Sequence, residues 1–236
     1  MALVETYPPP DLDDLPPLRT GDRMDRAEFE RRYDAAPEIR AELIEGIVYV
    51  SSPVRVSVHG EPHAMMVTWA GVYRAATPGV RFADNASVRL DKRNMPQPDV
   101  MLFIPRELGG QSTEDQDQYL DGAPEIAIEI ASASVDYDLH QKLEAYRRNG
   151  VREYLIWRVL DREFDWFSLR SGAYQRVEAS PDGLIKSEVM PGLWLKPAAL
   201  IDGDFPALLA ALQQGIASPE HEAFRARLAA AAGEQK

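Results

Sequence analysis

The chain has 236 residues, 45% of them apolar, enough for one domain with a substantial core and additional segments at its ends. Cysteine is absent, which excludes a disulfide framework and any thiolate-ligated metal. The net charge of -12 argues against a protein that wraps a broad basic face around phosphates, although a bound divalent cation can offset charge locally at an acidic site. No apolar run reaches the ~18–20 residues of a membrane helix, and no basic stretch followed by an apolar run marks a secretory signal, so the expectation is a cytoplasmic protein with no membrane association.

Five of the eighteen prolines fall in residues 1–23, predicting an extended arm that orders only by docking on a neighbour. Residues 24–36 read as a short charged helix capped by Asp25 and ended by Pro37. Residues 40–53 read as a hairpin about Glu45-Gly46. From His59 the apolar positions Met65, Met66, Trp69, Val72 and Tyr73 recur at helical spacing, up to a stop at Thr77-Pro78-Gly79. Residues 80–90 alternate as one strand, and Pro98-Asp99 opens the continuous apolar run VMLFI, a strand covered on both faces. Residues 109–121 read as a loop. Residues 125–130 form a strand whose alternation puts Glu125 and Glu129 on the face opposite Ile126, Ile128 and Ile130. Residues 138–150 form a helix with Asp138 at its start and Gly150 at its end. Residues 152–160 and 164–170 are strands around a turn at Asp161-Arg162, a last strand pair spans 173–177 and 184–189, and a helical segment begins at Phe205, broken near Ser218-Pro219. The tally is an α/β (α+β) fold, a mixed central sheet flanked by helices. The expected domain limits are an arm over 1–23, a core domain over 24–203 and a helical tail over 204–236.

The chemistry concentrates between residues 97 and 146. A Pro-Asp pair opens one buried strand, Glu129 sits thirty residues later in the next, and the helix that follows carries Lys142. Two carboxylates from adjacent strands suit Mg²⁺, which takes oxygen ligands and keeps several waters. Such an ion polarises a phosphate and acidifies an attacking water, and a nearby ammonium offsets developing negative charge. A Glu in the otherwise apolar stretch IAIEIAS is costly unless paired or metal-bound.

This set of residues resembles the PD-(D/E)XK nuclease superfamily and, more narrowly, the bacterial Uma-two family of restriction-endonuclease-like proteins. The matching pieces are ELIEG at 42–46, SPV at 52–54 with a His before the first core helix, QPDVMLF at 97–103, APEIAIEIASAS at 123–134 and DLHQKLEAYRRNGVREYLIW at 138–157. They cover roughly residues 25–200 in the family's order. The resemblance implies a restriction-endonuclease-like fold, a Mg²⁺ or Mn²⁺ site and cleavage of nucleic acid, DNA first, to 5′-phosphate ends. Carried over residue by residue, Asp99 and Glu129 are the acidic ligands, Glu42 (or Glu45) is an upstream ligand, and a homodimer is the family-level expectation. One position departs: the superfamily's Lys two residues after the second acid is Ala131 here, which makes Lys142 the natural replacement.

Plainer roles compete with these. Asp99 can cap a turn, Glu129 can face solvent, and Lys142 can make an i,i+4 pair with Asp138. Asp138 can be a helix cap, and Tyr146 a packed aromatic rather than a phosphate contact. His59 and His63 have the spacing of a zinc pair, but the residues between them are not those of HExxH. Pro62 suits a first helical turn, so a cap or an outer contact is preferred over zinc, with either His able to line the cleft. Tyr154, Trp157 and Trp166 read as core, or as a sheet-mediated dimer contact. Two other functions stay open: a catalytically inactive binding or regulatory module of the same fold, and a hydrolase using Ser132 or Ser134, which lack a G-x-S-x-G elbow.

Overall fold

A computed structural model describes residues 15–132 and 135–233. Most of the expected arm and Ser134 therefore lie outside the described residues. Part of the arm that is described docks on its own chain. Leu18 is buried with Phe29 and Leu43, the Gly21 N–H donates to Val48 O, and Val48 N–H donates to Asp22 O.

Helix α1 (Arg26–Asp34) is capped as expected, with Asp25 accepting from the Glu28 N–H. Strands β1 (Ala41–Ile44) and β2 (Ile47–Val50) form the hairpin, whose turn holds Glu45 and Gly46 at positive φ. A π-helical turn (Val56–Gly60) leads into α2 (Glu61–Ala76), with Pro62 in the first turn.

The main sheet has six strands. In spatial order they are β11 (Ala173–Arg176), β10 (Glu163–Arg170), β9 (Glu153–Arg158), β8 (Ile126–Ala131), β5 (Val100–Phe103) and β3 (Arg81–Asp84). Only β8 and β9 run parallel; every other pairing is antiparallel. A parallel pair cannot be joined by a hairpin and needs a crossover. Here the crossover is α3 (Val135–Tyr137), a π-helical turn (Asp138–Lys142) and α4 (Leu143–Asn149), ending at Gly150 with φ 82°. Alternation along β8 then divides the core. Ile126, Ile128 and Ile130 pack with Trp69 and Tyr73 of α2 on one face. Ala127 and Ala131 pack with Tyr146, Tyr154 and Ile156 on the other, and their small size lets the crossover helix approach closely around Glu129. The first face is closed by α5 (Pro197–Ile201), α6 (Phe205–Ile216) and α7 (Pro219–Gly233), through Leu200, Leu208, Leu212, Phe224 and Leu228. Tyr154, Trp157 and Trp166 are all buried in the core.

Four local expectations are corrected. Residues 80–90 do not form one strand: Asn85 takes φ 49° and splits them into β3 and β4 (Val88–Arg89), which join different sheets. The loop at 109–121 contains β6 (Thr113–Glu114) and β7 (Leu120–Asp121), which with β4 make a small second sheet. The Asp115 side chain organises it by accepting from the Asp117 and Tyr119 N–H groups. The last two strands do not pair with each other. The tight turn at Ser171-Gly172, both at positive φ, returns β11 onto β10, whereas β12 (Ile185–Lys186) pairs with β13 (Trp194–Leu195). The crossover helix starts at Val135, so Asp138 lies inside it and is not its N-cap. Among the described residues, no helix is long and apolar enough to cross a membrane.

Candidate functional site

The site lies where the C-terminal half of β8, the start of β5, the β1–β2 hairpin and the crossover helix meet. Lys142 is its centre. Its ammonium lies 3.0 Å from Glu129 Oε1, 3.0 Å from Glu42 Oε2 and 3.8 Å from Asp138 Oδ1. Lys142 is 5% exposed and Glu129 4% exposed, so the ion pairs are largely shielded from water. The i,i+4 pair with Asp138 and the contact with Glu129 therefore coexist, because a π-helical turn brings both Asp138 and Lys142 to the buried side.

Each carboxylate is held by further donors. Tyr146 OH donates to Glu129 Oε1 at 3.0 Å, so this buried ring carries a polar role as well as packing. Glu42 accepts from Tyr137 OH at 3.2 Å and from the Gln97 N–H at 3.2 Å. Asp99 Oδ2 accepts from the Ile130 N–H at 2.7 Å, which locks the β5 acid to the strand that carries Glu129. His59 spans the same two strands: Nδ1 is 3.1 Å from Ile130 O and Nε2 is 3.3 Å from Asp99 Oδ1. With Asp99 ionised both partners can only accept, so the imidazolium satisfies both contacts. His63 stacks on His59 at 5.8 Å, and its Nε2 lies 3.0 Å from the Asp99 backbone oxygen. The two histidines thus brace Asp99 rather than forming a zinc pair.

The electrostatics follow from burial and crowding. Desolvation pushes the Glu129 carboxyl well above its ordinary range; Lys142 opposes that push, while Asp99, Asp138 and Glu42 add to it. Lys142 is penalised by burial too, but Glu129, Glu42, Asp138 and Asp99 hold its ammonium well above the usual lysine range. Burial works against ionised Asp99, yet the His59 hydrogen bond and charge, with the Ile130 N–H and Lys142, carry it below the ordinary value. His59 is raised, first by its hydrogen bond to Asp99, against desolvation. The result is an acid-rich buried cluster with a fixed internal cation.

Of the residues singled out in the sequence, Asp99, Glu129, Lys142, Glu42, Asp138, Tyr146 and His59 share this cluster, and His63 supports it through the Asp99 backbone. Glu45 is turned away, paired with Arg148. Ala131 is fully buried against the crossover helix, so a lysine there would collide with the packed interface. Sequence reasoning missed Tyr137 and the Gln97 N–H, both of which hold Glu42, because an isolated tyrosine and a backbone donor leave no pattern in a sequence. Among the described residues, no three His, Asp or Glu side chains converge as a ready-made metal cage. The donor chemistry nevertheless fits a hard divalent cation, since carboxylate oxygens from two or three acids leave the rest of an octahedral shell to water and substrate oxygens.

The chain matches the model of the Uma2 family, described as "Putative restriction endonuclease", over residues 26–198. Its fold is similar to that of a protein from Anabaena variabilis described as a "putative nuclease belonging to DUF820". The TM-score is 0.52 at 14% identity, over 69% of this chain and 89% of that one. No curated protein matches the chain.

Proposed function

The chain belongs to the Uma2 family, and from that premise we propose that it is a metal-dependent endonuclease that hydrolyses phosphodiester bonds in nucleic acid, DNA first. The observation that carries this reading is the buried Lys142 ammonium, 3.0 Å from both Glu129 and Glu42, beside an Asp99 that is tied to the Glu129 strand. Asp99 and Glu129 would hold Mg²⁺ or Mn²⁺, with Glu42 assisting. When bound, such an ion polarises the scissile phosphate and lowers the pKa of an attacking water.

The chain's own residues do the rest. Lys142 sets a positive charge where negative charge grows on the phosphate, in surroundings that screen it weakly. Tyr146 fixes the Glu129 carboxylate, and the Ile130 N–H with His59 fixes Asp99, so the acids are oriented before any ligand arrives. In this reading Lys142 would take the part that the resemblance gives to a strand lysine, from the crossover helix, where it lies 3.0 Å from Glu129. A homodimer and a cytoplasmic setting complete the proposal, and analytical ultracentrifugation reads the oligomeric state.

The test is cleavage of plasmid and of single-stranded circular DNA with Mg²⁺ or Mn²⁺. Asp99→Asn, Glu129→Gln and Lys142→Met should each abolish cutting while remaining folded. A second reading, a non-catalytic binding module, is favoured by the net charge of -12 and by Ala131 at the position where the superfamily carries its lysine. Calorimetry showing no divalent binding, together with no cleavage by the wild type, decides for that module.

A further inference from the structure

The hairpin that delivers Glu42 to the site also carries an aromatic wall at its mouth. Tyr49 lies directly across the β1–β2 ladder from Glu42, so the two side chains share a face. The Tyr49 ring packs on Tyr137 with centroids 4.3 Å apart, and Tyr137 OH reaches Glu42. Tyr49 OH donates to Gln141, the residue before Lys142. Tyr49 is half-buried, and Gln141 is exposed. Immediately beyond, residues 51–57 are exposed one after another. Their cation, Arg55, makes no ion pair among the described residues, and Ser51, Ser52 and Ser57 add hydroxyls. The same run continues into His59, which touches Asp99.

Charge decides what this rim can recognise. Duplex binders neutralise many phosphates with Lys and Arg. In this chain, several arginines elsewhere pair with its own acids: Arg31 and Arg32 with Glu28, Arg89 with Glu30 and Asp115, Arg158 with Asp161 and Asp165. The net charge is -12. What the rim offers instead is a braced tyrosine ring, hydroxyl groups and one free guanidinium. Aromatic rings bind bases through their π-faces, which are open only where bases are unpaired.

Granting the nuclease reading above, we infer that the substrate is nucleic acid with unpaired bases, a single strand or flap, one base of which stacks on Tyr49 while Arg55 contacts the adjoining phosphate. Binding then depends on stacking more than on counterion release.

The test is fluorescence anisotropy with a labelled mixed-sequence oligodeoxynucleotide, its duplex and the RNA of the same sequence, in Ca²⁺ and in EDTA. Single strands should bind at least about tenfold tighter than duplex. Tyr49→Ala should weaken single-strand binding by about tenfold or more, and Tyr49→Phe, which keeps the ring, by less than about twofold. The dependence of log Kd on log salt should correspond to no more than about two phosphate contacts. Preference for the RNA strand supports the same stacked-base contact and assigns the sugar. Equal or tighter duplex binding, a Tyr49→Ala protein that binds like the wild type, or a salt slope of six or more contacts overturns the inference. Cleavage separates it from the reading it rests on. Duplex cutting untouched by Tyr49→Ala keeps the nuclease and removes the stacking surface. Single-strand binding lost in Tyr49→Ala, without any cleavage, keeps the surface and removes the nuclease.

Discussion

Replacing Lys142 by Met keeps most of the side-chain volume and deletes the charge. At 3.0 Å and an effective dielectric constant of about 20, each of the Glu129 and Glu42 contacts is worth about 5–6 kcal/mol of gross attraction. Much of that is cancelled by the cost of taking all three groups out of water. Breaking one partner of a buried pair, however, leaves that cost without its compensation, and the net loss is about 3–5 kcal/mol. For a chain of this size, that corresponds to a fall in Tm of about 6–20 °C. Calorimetric melting in EDTA reads it directly.

The same reasoning says what should restore the loss. A Glu129→Gln/Lys142→Met double variant removes both charges of one pair and should recover about half the deficit or more. Divalent cation should raise the Tm of Lys142→Met by more than it raises that of the wild type, because the ion then supplies the charge the acids lack. A Lys142→Met protein that melts within about 1 kcal/mol of the wild type in EDTA would refute the internal-cation account of the cluster.

Other consequences lie away from the site. Glu153 is buried and accepts from Ser187 Oγ and the Glu188 N–H, and desolvation raises its pKa from 4.5 to about 7. The folded state therefore holds this proton more tightly than the unfolded chain. Its stabilising contribution is full below pH 4.5 and is lost as pH rises through about 7, some 3 kcal/mol in all. Urea midpoints at pH 5 and pH 8 should show that slope in the wild type and not in Glu153→Gln; equal slopes would remove the assignment. Gly192 has φ 90°, and a Cβ there would sit 2.7 Å from His221 Cβ, so Gly192→Ala should cost about 1–3 kcal/mol by strain and overpacking, read as a lower denaturant midpoint. Trp69 is fully buried between α2 and the sheet and donates from Nε1 to Trp194 O, so Trp69→Phe should destabilise by about 1–3 kcal/mol through the orphaned acceptor and lost volume, checked by chemical denaturation.

How far the sequence discloses this molecule depends on whether the deciding interaction is periodic or singular. The α2 helix and the β8 strand are legible because each repeats an apolar position at period 3.6 or 2, and the β1–β2 hairpin and the β9–β10 pair because apolar runs flank a turn. The break at Asn85 and the small β4–β7–β6 sheet are not legible. They depend on one residue at positive φ and on an Asp115 side chain that accepts two backbone N–H groups, and neither alters the hydrophobic pattern. The fate of the last strands was hidden for a related reason: Ser171-Gly172 could be read as a turn, but the partner of β12 depends on β13, a two-residue strand with no pattern of its own.

The candidate site divides along the same line. A Glu inside an apolar strand is conspicuous because only a partner makes it affordable, and that argument led to Glu129 and then to an ammonium on the next element. The choice of Lys142 over Ala131 follows from topology. Because β8 and β9 are parallel, the chain between them must cross one face of the sheet, and it crosses the face bearing Ala127, Glu129 and Ala131. A lysine at 131 would occupy the space that this crossover needs for packing, whereas one on the crossover itself meets Glu129 end on. An ammonium on the helix thus lies near the acids while leaving the strand small enough to be covered. A Lys142→Ala/Ala131→Lys exchange should consequently destabilise the fold more than Lys142→Met does, because it overpacks the Ala131 contact with Tyr146 and Tyr154. Thermal melts of the two proteins side by side measure the difference. If the exchange variant proved the more stable of the two, the packing argument for a lysine on the helix would fail.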